Sequence, residues 1–112
     1  MPRPRKPRFV QAPPLAETFT PHPPSRWGGE EVFLPVEGLE AIRLSDYLGL
    51  DHDAAAKLMN VSRQTFGRIL AEARALVAEA LVMGKILRIQ GGHFRMPPRG
   101  PGRHGRRWRG GF

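Results

Sequence analysis

Residues 50–71 read LDHDAAAKLMNVSRQTFGRILA, and this stretch decides the fold. Asp51 is a helix cap, because its short carboxylate can accept the free backbone N–H groups of a first turn, and Asp53 adds negative charge to that turn. Ala54, Ala55 and Ala56 favour helix. Asn60 tolerates the left-handed conformation that ends a helix. Val61 is an apolar plug for the corner, and Ser62 caps the next helix. The pattern predicts one helix over about His52–Met59 and a second from Arg63 to Val82 or Met83. In the second, Phe66, Ile69, Leu70, Ala73, Leu76, Val77, Ala80 and Leu81 recur at steps of three and four and form a stripe to be buried. Gly84 ends it.

Two helices joined by so tight a turn read as a helix-turn-helix. Ala55 and Ala56 are small where the second helix must cross the first. The polar leading edge of the second helix is then free to enter a DNA major groove. Ser62, Arg63, Gln64, Thr65, Gly67, Arg68 and Ala71 are the residues expected to face DNA. Arg63 and Arg68 suit guanine O6 and N7, and Gln64 suits adenine N6 and N7. Ser62 and Thr65, with the amides of the helix N-terminus, suit phosphate. Gly67 costs roughly 1 kcal/mol relative to Ala inside a helix. It reads either as room for close approach to a phosphate or base edge, or as a tolerated surface glycine.

Upstream, a first helix is expected over about Val36–Leu48. Pro35 stands at its start, where a missing N–H costs little, and Glu37 and Glu40 lie near its positive end. Val36, Leu39, Ile42 and Leu48 form its apolar stripe with Ala41 and Leu44 at the edges, and Gly49 ends it. Glu31–Leu34 is a short apolar approach to this helix. Downstream, Lys85–Gln90 reads as a strand broken by Gly91 and Gly92. Prolines 13, 14, 21, 23 and 24 exclude helix from 11–29, leaving loop with a short strand near Thr18–Thr20. Phe9–Val10 is expected to pair with Lys85–Ile89. The chain thus divides into a basic, Pro-rich extended arm (1–30), a helix-turn-helix domain with its C-terminal strand (31–94) and a disordered Arg/Gly-rich tail (95–112).

Charge supports a polyanionic partner. The 112 residues carry a formal net charge of +8. Arg3, Arg5, Lys6 and Arg8 crowd one end, and Arg95, Arg99, Arg103, Arg106, Arg107 and Arg109 the other, with no acid among them. All the acids lie in 11–94, so the folded part is near neutral and the ends are cationic. Cationic ends suit nucleic acid. The tail's mixture of Arg, Gly and Trp108 also suits single strands, by charge and stacking.

Other chemistry finds little support. Cysteine is absent, and His22, His52, His93 and His104 form no pair at metal-ligand spacing, so no metal site, and no cofactor, is expected. Glu30–Glu31 and Asp51 with Asp53 read as loop charge and cap chemistry rather than paired catalytic carboxylates. No glycine-rich phosphate loop occurs. An enzyme is not expected. No apolar run is long enough for a membrane span, and no apolar segment follows the basic N-terminus, so the expected location is cytoplasmic.

The run LEAIRLSDYLGLDHDAAAKLMNVSRQTFGRIL (39–70), followed by ARALVAEALVMGKILRIQGGHF (73–94), resembles a small uncharacterised prokaryotic family of predicted DNA-binding proteins. The opening MPRPRKPR is similar to it as well. The family's helix-turn-helix is similar to the promoter-reading segment at the end of sigma factors. The resemblance covers about 1–94 and implies a DNA-binding transcriptional regulator. Members often carry Gly where this chain has Asn60, and Asn still permits the turn. Members often carry Cys near the N-terminus where this chain has Pro7, so no metal or redox role follows from that position.

The expected fold class is mainly α: a three-helix helix-turn-helix core of winged or sigma-factor-like type, with a minor β component and disordered basic termini. The expected function is sequence-specific binding of double-stranded DNA. Arg3, Arg5 and Lys6 of the arm would add affinity for the phosphate backbone. RNA polymerase is a further candidate partner, and a homodimer is expected if the operator is two-fold. Two alternatives stand beside this one. A basic RNA-binding or ribosome-associated protein would act through the arms, and a protein-interaction module would dock the helix pair on RNA polymerase.

Overall fold

A computed structural model of the chain describes residues 7–24 and 29–96. The fold is mainly α with a small sheet component, as the sequence predicts. In chain order the elements are β1 (Arg8–Phe9), β2 (Thr18–Phe19), β3 (Glu31–Leu34), α1 (Val36–Ile42), a π-helical turn (Arg43–Tyr47), α2 (His52–Met59), α3 (Arg63–Met83), β4 (Ile86–Ile89) and β5 (Phe94–Arg95).

The boundaries of α2 and α3 fall where the cap residues put them. Asp51 Oδ1 accepts the Ala54 N–H at 2.8 Å. Asn60 adopts φ 59° and ψ 45°, in the left-handed region, and its N–H returns to the Ala56 and Lys57 carbonyls. Gly84, at φ 66°, ends α3 in the same way. These are local devices, which is why the sequence shows them.

Helix α1 departs from expectation in two respects. It stops at Ile42 and continues as the π turn, rather than running as one α-helix to Leu48. Its buried face is also rotated. Ala41 and Leu44 are fully buried, Leu39 and Ile42 only partly, and Leu48 is 49% exposed. Glu37 and Glu40 are buried too, so they are not simply acids at a positive helix end. Glu37 accepts the His93 N–H on both oxygens, at 3.1 and 3.2 Å, and lies 3.9 Å from Arg8. Glu40 accepts the Gln11 N–H at 3.1 Å and a two-pronged contact from Arg43 at 2.8 Å. Each buried charge is therefore paired and hydrogen-bonded, as burial requires. The two carboxylates fasten β1 and the β4–β5 connection to α1.

The strands also differ from the expected pairing. Phe9–Val10 does not pair with Lys85–Ile89. Instead β1 runs parallel to β5, with Arg8 beside Phe94. Strand β4 is central in a three-stranded sheet of order β2–β4–β3. Glu31–Leu34, expected as a simple approach to α1, is itself a strand lying parallel to β4, with Leu34 opposite Ile89. Parallel neighbours need a long crossover, and here the three helices supply it. Val32 and Leu34 of β3 are buried while Glu31 and Phe33 are exposed, the alternation of a half-covered strand.

Consequently the described part of the arm, 7–24, belongs to the fold. Val10 is 1% exposed and packs with Leu34, Val36, Ala73 and Ile89 beneath the sheet. At the other end, Arg95 lies in β5 and Met96 packs on that same cluster, so the folded part extends beyond residue 94. A second cluster, of Ala41, Leu44, Ala55, Ala56, Met59, Phe66 and Leu70, holds the three helices together. Ile42 touches both clusters. Leu81, expected in the buried stripe of α3, is 77% exposed. Arg3, Arg5, Lys6 and the tail from residue 97 onward lie outside the described residues.

Candidate nucleic-acid interface

Helix α3 begins with a cap built from two hydroxyls. Ser62 Oγ accepts the Thr65 N–H at 3.0 Å and donates to Thr65 Oγ1 at 3.0 Å. Both side chains are thus engaged with each other. What this end of α3 keeps for an anion is the pair of first-turn amides, at Arg63 and Gln64, which no helix carbonyl can take.

The inner side of the same turn is fixed by packing. Phe66 and Leu70 are fully buried against Ala55, Ala56 and Met59 of α2, and Val61 packs into the same cluster. The His52 ring stands edge-on to Phe66, 5.2 Å between centroids. Small side chains on α2 allow α3 this close, because they bring the two helix surfaces together without a void.

The outer side is polar. Ser62, Arg63, Gln64, Arg68 and Ala71 are exposed, and Thr65 and Gly67 are half-exposed. All seven residues named from the sequence are therefore at least partly accessible, and Gln64, Gly67, Arg68 and Ala71, at steps of three and four, share one face of α3. Arg63 lies 3.8 Å from Asp53, with both side chains largely exposed. So open an ion pair contributes little and leaves the guanidinium available. A Cβ at Gly67 would meet nothing within 4 Å, so no packing within the fold demands glycine there.

One residue absent from that group joins it in space. Arg8, at the start of the fold, lines a cleft of about 180 Å³ with Arg68, Glu37 and Glu72. The arm thus enters the fold on the flank of the α3 edge. Nothing local in the sequence shows this, since sixty residues separate the two arginines; the pairing of β1 with β5 creates it.

Behind the edge, Arg74 on α3 grips Asp46 of the π turn through two hydrogen bonds, of 2.7 and 3.2 Å. This contact holds the Asp46 carboxyl below its ordinary range. Among the described residues no group of three or more His, Cys, Asp or Glu side chains could hold a metal ion. No helix among them is long and apolar enough to cross a membrane.

Residues 1–97 match the model of the family described as "Protein of unknown function DUF134". The chain belongs to that family. DUF134 relatives include a protein of Thermoanaerobacter pseudethanolicus, 48% identical over 96 residues, which span 86% of this chain and 81% of the relative. One from Caldanaerobacter subterraneus is 47% identical with the same coverage. One from Caldicellulosiruptor bescii is 51% identical over 94 residues, 84% of this chain and 65% of its own. Each is described as a UPF0251 protein. No solved structure matches the chain.

Proposed function

We propose that this DUF134 protein binds duplex DNA in a sequence-specific manner through α2 and α3, as a cytoplasmic transcriptional regulator with a sigma-factor-like helix-turn-helix. The observation that carries the reading is the two-sided start of α3: Phe66 and Leu70 are fully buried, Gln64 and Arg68 are exposed on the face turned away from them, and Arg63 is exposed at the helix end. A surface loop with the same charges would not hold them in register. A capped helix anchored from behind holds them at fixed positions, which is what reading base edges requires.

The roles follow from chemistry. Arg63, Gln64 and Arg68 read bases. The free first-turn amides of Arg63 and Gln64, beside the Ser62–Thr65 cap, hold a phosphate. Gly67 and Ala71 keep the edge low enough for close approach. Arg3, Arg5 and Lys6 add affinity for the phosphate backbone.

Binding-site selection from random duplexes tests the reading. The wild-type chain should enrich one motif. Arg68→Ala and Gln64→Ala should each relax the preference at a single base pair, by about 1–3 kcal/mol. Enrichment of no motif, or an unchanged motif in both variants, contradicts it.

A further inference from the structure

Leu15, Phe19 and Tyr47 are large apolar side chains left exposed, and all three line one groove of about 500 Å³. The buried Val10 and Ile89 also line it. The Pro-rich stretch 11–16 forms one wall, and α1 with the π turn forms the other. Pro13 and Pro14 stiffen the first wall, so it resists collapse onto the second.

The polar groups in the groove balance one another. Glu40 and Arg43 are joined by the 2.8 Å two-pronged contact, and the Gln11 N–H lies on the same carboxylate. An anionic or cationic ligand would have to break that pair. The groove otherwise offers apolar walls, the Gln11 side chain and the Tyr47 phenol. Its volume lies within the range of small-molecule sites. A stable protein contact would instead need about 800 Å² of matching surface on each partner.

We propose that this groove binds a neutral, largely apolar small molecule. The π turn gives occupancy a consequence. Arg43 and Tyr47 line the groove, while Asp46, from the same turn, holds Arg74 on α3. A π turn is a wide and uncommon helical turn, frequent at functional sites. A ligand that favours one arrangement of it shifts the position of α3 through Asp46. This second step rests on the DNA reading above; binding in the groove does not.

The full chain is titrated with N-phenyl-1-naphthylamine, a neutral fluorophore that brightens in apolar surroundings. Saturable one-to-one binding is expected. Ala12→Trp, which fills the groove, should weaken it by about tenfold or more. So should Tyr47→Ala, whose side chain is 81% exposed and not needed for folding. Both variants should keep the wild-type circular dichroism, and Arg68→Ala should bind the probe normally. Non-saturable uptake, or wild-type affinity in the folded variants, overturns the site. A probe signal that falls as sedimentation reports a dimer assigns the groove to a second copy and overturns it equally. Saturating probe should shift affinity for the selected duplex by about fivefold or more, and Asp46→Ala should abolish the shift. An unshifted affinity overturns the link to α3. Saturable probe binding by a chain that selects no DNA motif overturns the DNA reading alone.

Discussion

Gly67 lies in the second turn of α3, with open space where a Cβ would stand. The fold gains nothing from it and loses the roughly 0.5–1 kcal/mol by which Ala surpasses Gly in a helix. Gly67→Ala should therefore raise thermal stability by about that amount while weakening binding to the selected duplex. A stabilised variant with unchanged DNA affinity would mark Gly67 as an idle surface glycine. Gly38 is the opposite case. A Cβ there would stand 3.0 Å from Leu34 Cδ1 and 3.2 Å from Ala73 Cβ, so glycine is what lets β3, α1 and α3 meet. At this scale, caps were legible and buried charges were not. Asp51, Asn60 and Ser62 act on atoms within four residues of themselves. Glu37 takes its partner from His93 and Glu40 from Gln11, and no local pattern shows contacts so remote.

Among the elements, α2 and α3 fall at His52–Met59 and Arg63–Met83, as capping and periodicity predict. Gln64, Gly67, Arg68 and Ala71 share a face because helical spacing places them there, and Ser62, Arg63 and Thr65 lie around the exposed start of the helix. The sheet was less legible. Two-residue strands such as β1 and β5 carry no alternation to read, and Glu31–Leu34 shows its strand character only once β4 lies beside it. The π turn was invisible because its sequence, RLSDY, continues the helical pattern of α1. That turn supports a prediction. Arg74 lowers the Asp46 carboxyl below its usual 3.8. A group whose folded value is depressed stabilises the fold above the unfolded value, and the contribution is lost as pH falls through the folded one. Asp46→Asn should thus be less stable than wild type at neutral pH, and the difference should close in acid, below pH 3.8. The pair is exposed, so the difference should be small and should shrink in salt. A difference that persists undiminished at the acid end of the titration contradicts this account of the pair.

Over the whole molecule, charge and fold are separated. Residues 11–94 hold every acid, and both ends are cationic. The fold draws in more of those ends than composition suggests, since Val10 is core and Arg95 is in β5. What remains beyond Met96 carries Arg99, Arg103, Arg106, Arg107 and Arg109. Removing residues 97–112 should weaken binding to all duplexes alike and reduce the salt slope by up to about 4.5, at roughly 0.9 per phosphate contact. Equal slopes with and without the segment would show that it does not touch DNA.

On this reading the exposed face of α3 enters the major groove. Methylation interference on the selected duplex tests it most directly, because guanine N7 faces that groove and adenine N3 faces the minor one. Methyl groups at particular guanine N7 positions should block the wild-type protein, and Arg68→Ala should lose the block at one of them. Binding indifferent to N7 methylation, with interference confined to adenine N3, would contradict it.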